Sequence, residues 1–251
     1  MNLRQRLFLP LGAAFLALFL WGLHDMPPWG EYRGPYGDVV NSLAVYERHA
    51  TDVVTAINFD YRGFDTLGEE FILFTSVTGV TLLLRRQKQD QPRPPRDSAE
   101  ERPVPPVSDA VRVFGLALVG AMGVFGLYIL THGQLTPGGG FQGGVVLASI
   151  PLLVYLVSTY QDLCHIAPHW LVEVGEAVGA SGFILLGLAG MLAGAYFLQN
   201  VLPFGQTGSA LSAGTIWGLS LTTGLEVAAG IILLQIAFLD ETLTRRYRGP
   251  R

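Results

Sequence analysis

Six stretches of this sequence are almost free of charge over 17 to 27 consecutive residues, at 7–23, 67–84, 113–130, 143–159, 172–198 and 213–239. A helix needs about 20 residues to cross the roughly 30 Å hydrocarbon core of a bilayer. Only 14% of the chain is charged, against about 25% in soluble domains. The sequence therefore predicts an all-α, multi-pass membrane protein with six transmembrane helices. No small-residue cleavage motif follows the first stretch, which we interpret as an uncleaved anchor.

The basic residues fix the predicted orientation. Thirteen of the 16 lysines and arginines precede the first stretch, lie between the second and third, or follow the sixth. Arg33, Arg48 and Arg62 are the three on the opposite side, among seven acidic residues. Because cytoplasmic segments carry the excess of Lys and Arg, we expect both termini to be cytoplasmic.

A proline-rich segment divides the chain. Residues 87–107 are polar and contain six prolines, a composition typical of an extended linker. The linker separates a two-span unit, 1–86, from a four-span unit, 108–245, and residues 246–251 form a basic tail. The two units do not repeat each other, which argues against a self-contained secondary transporter. In the segment before the second span, apolar residues at helical spacing predict one or two short helices along the membrane surface.

Several classes of function are excluded. The net charge of −4 leaves no basic surface for nucleic acid. A single cysteine, Cys164, rules out a disulfide framework and a cysteine-based zinc site. His165 and His169 have i,i+4 spacing, but no third ligand is apparent, so we expect neither a metal site nor a cofactor.

A glycine-rich loop joins the third and fourth spans. Its structural motif consists of Pro137, Gly138, Gly139, Gly140, Phe141, Gly143 and Gly144. No Gly-Lys-Ser/Thr follows it to bind phosphate, and the potassium-filter sequence is absent. Two interpretations stay open. The glycines allow either a tight hairpin with close helix packing, or a broken-helix cavity whose carbonyls face an ion path.

Glu226 is the most informative single residue, because it lies 13 residues from each end of the sixth span. A carboxylate at the bilayer centre costs at least about 2.5–3.5 kcal/mol, so the default interpretation is functional. The alternative is a carboxylic acid kept neutral by burial, or paired with a neighbouring subunit.

Five other charged residues are candidates for the same polar path. Glu173 and Glu176 lie three residues apart in the first turns of the fifth span, where they either exchange protons or interact with the helix dipole. Glu69 fits a capping box with Thr66, or it forms a charged cluster with Arg62 and Asp65 at the outer mouth of the path.

Two parts of the chain resemble known families. Residues 133–144, GQLTPGGGFQGG, and 224–230, GLEVAAG, resemble the B subunit of Mrp-type cation/proton antiporters, the MnhB family. Residues 27–37 and 59–69 resemble the E subunit of membrane-bound hydrogenases and the C-terminal end of the Mrp A subunit. The resemblance implies that Arg62 and Glu69 belong to a proposed ion route, and that the chain fuses two neighbouring subunits.

The resemblance also implies a function. The pumping subunits of such complexes carry lysines within the membrane, whereas the only lysine here is Lys88, in the linker. We therefore expect a non-pumping subunit of a multisubunit Na⁺/H⁺ antiporter in a bacterial or archaeal plasma membrane, with no catalytic site of its own. Its expected partners are other membrane subunits, the lipid bilayer, and Na⁺ and H⁺ as transported ions. The alternatives are the equivalent subunit of a hydrogenase-like redox complex, an autonomous channel, and a structural scaffold.

Overall fold

The computed structural model describes residues 3–24, 26, 30–31, 34–85 and 107–245. Within these residues the chain is helical and contains no strand, which confirms the predicted fold class. Nearly all of the predicted linker, and the predicted basic tail, lie outside the described residues.

The chain divides into two compact units, Met1–Val39 and Val40–Arg251. The first contains α1 (Leu3–His24) and the beginning of α2 (Pro35–Arg48). The second continues α2 and contains the remaining helices, which are α3 (Val53–Ala56) with a π-helical turn (Ile57–Tyr61), α4 (Gly63–Leu84), α5 (Asp109–Thr131), α6 (Gly140–Val157), α7 (Tyr160–Ile166), α8 (His169–Leu192) and α9 (Thr215–Arg245). The predicted short surface helices correspond to α2 and α3.

Five helices are long and apolar enough to cross a membrane, namely α4, α5, α6, α8 and the Thr215–Glu241 part of α9. They correspond to predicted spans two to six. The predicted first span falls in α1, whose apolar part, Phe8–His24, is shorter. The fifth span was predicted to reach residue 198, but α8 ends at Leu192. Gly194 then adopts φ 77°, a conformation suited to glycine, and turns the chain away.

The second unit is organised around α9, which packs against α4, α6 and α8. Its buried apolar residues include Ile216, Leu219, Val227, Leu233 and Ile236. Within the membrane, apolar burial against lipid gains little, so close packing of backbones stabilises helix association. Small residues on the partner helices permit that packing.

The glycines of α6 show how close this packing is. A Cβ atom on Gly140 would lie 2.5 Å from the Ser220 carbonyl oxygen, and one on Gly144 would lie 2.8 Å from the Gly224 carbonyl oxygen. Gly143 faces the opposite way, where a Cβ would lie 2.8 Å from the backbone of Leu130 on α5. Helix α6 is therefore held between α5 and α9 through three glycines in its first turns.

The start of α4 differs from the expected capping box. The helix begins at Gly63, and Thr66 lies inside its first turn. The Thr66 hydroxyl donates to the Asn58 carbonyl oxygen at 2.6 Å. The capping prediction for Thr66 and Glu69 is therefore wrong, because the helix starts one turn earlier than the apolar pattern indicates.

Gly140→Ala should destabilise the protein by about 1–3 kcal/mol, because the added methyl meets the α9 backbone rather than a movable side chain. The measurement is the melting temperature of the purified protein in detergent. Gly120→Ala on α5 is the matched control, since a Cβ there meets nothing within 4 Å, and it should leave stability unchanged or slightly higher. Equal melting temperatures for the two variants would contradict this packing.

Candidate functional site

Two carboxyl groups meet in the interior of the second unit. Glu226 on α9 is 1% exposed and Glu70 on α4 is 2% exposed. They line a cavity of about 10 Å³, completed by four residues of α4 and α8, Leu67, Phe71, Phe74 and Ala180. A cavity of this size has room for about one water molecule.

Helix packing forces the two carboxyl groups inward. A Cβ on Gly179 of α8 would lie 2.5 Å from the Glu226 backbone nitrogen, so α8 closes directly over the backbone at Glu226. On the other side, the Thr223 hydroxyl contacts the Glu70 Oε1 atom. Glu226 Oε1, Glu226 Oε2 and Glu70 Oε2 accept no hydrogen bond from the described chain. Buried carboxyl oxygens without donors are costly, which is typical of functional sites.

Glu176 extends the buried carboxyl set along α9. It is 8% exposed, and its Oε1 atom is buried without a hydrogen-bond partner among the described residues. That atom lies 3.6 Å from the position a Cβ would take on Gly230, one helical turn beyond Glu226. Carboxyl groups from α4, α8 and α9 thus surround one stretch of α9.

Glu173 does not join this set. Its side chain is 60% exposed and lies 3.4 Å from the His169 Nδ1 atom, one turn earlier on the same helix. Glu173 and Glu176 were expected on one helix face, yet the boundary between buried and exposed surface falls between them.

The structure pairs two of the three residues assigned to the outer mouth. The Arg62 Nε atom donates to the Asp65 Oδ2 atom at 2.6 Å, and both side chains are exposed. Glu69 is exposed one helical turn beyond Asp65. All three lie at the α4 N-terminus, with Glu69 directed away from the buried Glu70.

A larger cavity of about 560 Å³ lies beside this end of α4. In its wall the Arg48 Nε atom donates to Asp60 Oδ1 at 2.7 Å, and Asn200 Nδ2 donates to Asp60 Oδ2 at 3.1 Å. The Tyr61 hydroxyl donates to Glu47 Oε2 at 2.7 Å. Burial and this hydrogen bond raise the pKa of Tyr61 to about 12, so the phenol stays protonated at neutral pH. The cavity wall therefore carries polar groups that are already paired.

The glycine loop is tightly placed. Gly139 adopts φ 118° and precedes the first residue of α6. Gly138 packs against Ile129, while Pro137 is exposed and Phe141 is half-buried. These contacts correspond to the packing interpretation of the loop, since the buried glycines face neighbouring helices.

Sequence reasoning missed Glu70. It is the fourth residue of the second stretch, 67–84, and was not among the candidate residues. The spacing was available in the sequence, because Thr66, Leu67 and Val77 lie four, three and seven residues from Glu70, and the structure buries all four. That phase places Glu70 on the packed face of α4, and Asp65 and Glu69 outside it.

The comparisons with known proteins agree with these features. The family described as a domain related to the MnhB subunit of Na⁺/H⁺ antiporter matches residues 110–233. A chain in the structure of the membrane-bound sulfane sulfur reductase, an archaeal respiratory membrane complex, is 31% identical, with a TM-score of 0.70. The match covers 95% of this chain and 98% of that one. This chain belongs to the MnhB-related family.

Two further relatives extend the picture. An uncharacterized protein of Methanocaldococcus jannaschii is 29% identical over 213 residues, which is 76% of this chain and 78% of the relative. A chain of the Mrp complex from a Dietzia species has the same fold, with a TM-score of 0.69 and 22% identity. All of this chain matches 27% of that longer chain. The chain is a multi-pass membrane subunit of the kind found in such multisubunit complexes.

Thr223→Val should destabilise the MnhB-related domain by about 1–3 kcal/mol, because it leaves the buried Glu70 Oε1 atom without its hydroxyl partner. Thr223→Ser keeps the hydroxyl and should recover most of the loss. The matched control is Thr222→Val, since the Thr222 hydroxyl bonds only to carbonyl groups of its own helix. Melting temperatures in detergent measure all three, and a Thr222→Val loss as large as that of Thr223→Val would contradict the assignment.

Proposed function

We propose that this chain is a non-pumping membrane subunit of a multisubunit Mrp-type cation/proton antiporter, and that its buried carboxyl groups line part of an ion path. The observation that carries the proposal is Glu226, buried in the middle of an apolar helix with both carboxyl oxygens lacking a donor among the described residues. A carboxyl group is not maintained in such a place for packing, because an apolar side chain would be more stable there.

Buried and exposed charged residues together outline the proposed route. Glu70, Glu226 and Glu176 place ionisable groups of three helices around one stretch of α9. Arg62, Asp65 and Glu69 mark the exposed N-terminal end of α4, which we assign to the outer side. This assignment follows from cytoplasmic termini, which the distribution of basic residues supports. Glu173 lies at the exposed start of α8 and contributes to the route only at its edge.

The domain organisation is part of the same proposal. We assign residues 1–86 to a two-span unit like the hydrogenase E subunit, and 108–245 to the MnhB-like unit, joined by the linker. The joining of both units in one chain is supported by the solved structures. In each of the two complexes, a single chain matches 95% or more of this sequence. The work of pumping then belongs to other subunits, and this chain supplies assembly contacts and part of the path. A bacterial or archaeal plasma membrane is its expected location.

Glu226→Gln should lower cation-dependent proton transport by about tenfold or more, because the amide keeps the shape of the side chain but cannot exchange a proton. The measurement is dissipation of a pH gradient on addition of Na⁺ to everted vesicles that contain the whole complex. The amount of assembled complex is measured in the same vesicles.

The control is Asp109→Asn, which neutralises an exposed carboxyl group in the first turn of α5. It should transport at the wild-type rate. Wild-type transport by Glu226→Gln at equal complex content would rule out the ion-path role and favour a structural scaffold.

A second candidate function is the equivalent subunit of a redox-driven membrane complex. The observation that favours it is the 31% identity to a chain in an archaeal respiratory complex, across nearly the whole of both chains. Affinity purification of the tagged chain from its own membranes in mild detergent separates the two. Recovery with large multi-span subunits alone supports the antiporter, whereas iron–sulfur or other redox subunits in the same complex support the second candidate. Recovery of the chain alone would contradict both and favour an autonomous channel.

A further inference from the structure

The cavity between α4, α8 and α9 contains acceptor atoms and almost no donors. Its polar groups are the carboxyl groups of Glu70 and Glu226, and its other walls are Leu67, Phe71, Phe74 and Ala180. No lysine, arginine or histidine of the described chain lines it. Two ionised carboxylates in this setting would be both desolvated and mutually repelling, which is the arrangement that retains a proton.

Counting donors leads to the same result. The Thr223 hydroxyl carries one proton, yet it lies in hydrogen-bonding contact with both the Leu219 carbonyl oxygen, at 2.9 Å, and Glu70 Oε1. The Glu70 Oε2 atom and both Glu226 carboxyl oxygens are buried beside the same cavity and have no donor among the described residues. Ionised carboxylates only accept, so a carboxyl proton is the donor that the pair itself can supply. Two acceptors therefore compete for the one hydroxyl proton, and a proton on Glu70 or Glu226 is the remaining donor for the buried carboxyl oxygens.

We propose that Glu70 and Glu226 form a proton-binding pair that holds one shared proton, and that the ion this part of the path takes is H⁺ rather than a metal cation. The inference rests on the proposed ion-path function and names the ion for this section of it. Among the side chains that line the cavity, only the two carboxyl groups supply oxygen ligands, and a cavity of about 10 Å³ has room for about one water molecule. A bare monovalent cation would lose most of its hydration there without replacement.

The other charged groups near Glu70 and Glu226 do not neutralise negative charge on the pair. Glu176 approaches from α8 one turn further along α9 and adds negative charge. Glu69 follows the α4 backbone but is exposed, on the other side of its helix. Each of these groups disfavours a second negative charge in the cavity, so the shared proton is retained while the pair carries one charge.

The test is carboxyl labelling of the intact complex with dicyclohexylcarbodiimide, which enters apolar membrane regions and reacts with protonated carboxyl groups. Labelling of Glu70 and Glu226 is quantified by peptide mass spectrometry across a pH series. In the wild type, the shared proton should sustain labelling to alkaline pH. In Glu70→Gln, the new amide donates a hydrogen bond to ionised Glu226, so the midpoint of Glu226 labelling should fall by about one pH unit or more, a tenfold change in proton affinity.

The reciprocal variant is Glu226→Gln, in which the midpoint of Glu70 labelling should fall in the same way. It replaces Glu70→Gln if that variant does not assemble. The control is Asp109→Asn, which neutralises an exposed carboxyl group on α5 outside the proposed route, and it should leave the Glu226 midpoint unchanged. Equal midpoints in the wild type and in both pair variants would overturn the shared proton. Loss of labelling on addition of Na⁺ at constant pH would instead show a cation in the pair, and would overturn the assignment to H⁺.

These outcomes are distinct from failure of the proposed function. Labelling needs no transport, so shifted midpoints together with wild-type transport by Glu226→Gln would support the proton pair and reject the ion path. Impaired transport with unshifted midpoints would keep the ion path and reject the shared proton.

Discussion

Close contact between helix backbones at glycine is the interaction on which the second unit depends. In a lipid environment the hydrophobic effect does little to bring helices together, so shape and backbone proximity decide the packing. Gly140 and Gly144 seat α6 on α9, and Gly179 seats α8 on α9 at the level of Glu226. Even a methyl group at these positions would force the helices apart. The buried carboxyl cluster is a consequence of this packing.

The packing also gives the carboxyl groups their chemical character. With α8 closed over the Glu226 backbone, and with Phe71 and Phe74 beside the cavity, the two carboxyl groups lie in apolar surroundings. Interactions between the charges are strong in this low-dielectric setting, and unpaired acceptors are costly. The proposed ion-path role places the binding and release of an ion at these carboxyl groups. The Thr223 hydroxyl is the one donor of the described chain in contact with the pair, which gives a small residue an unusually large role.

Much of this organisation could be predicted from the sequence. Long uncharged stretches indicated the membrane helices, and the bounds of α5 and α6 came within about a turn of the prediction. Glu226 was identified from its central place in an apolar segment alone, and the structure places it in the buried cluster. The errors arose where local pattern competes with geometry. Thr66 and Glu69 fitted a capping box at the helix start, yet α4 begins at Gly63. Helix α8 ends before its apolar run does, where Gly194 adopts a positive φ.

The sequence by itself determined that the helices are membrane helices, and how far each charged residue lies from the ends of its apolar stretch. Hydropathy and the energetic cost of a buried carboxylate are local properties. Only the tertiary structure decided which charges are partners. Glu69 and Glu70 are chemically identical neighbours, yet a rotation of about 100° per residue places one outside and the other against Glu226. Glu173 and Glu176 separate in the same way at the edge of the buried face. That distinction depends on which face of each helix meets its neighbour, and helix faces are assigned by packing between segments distant in sequence.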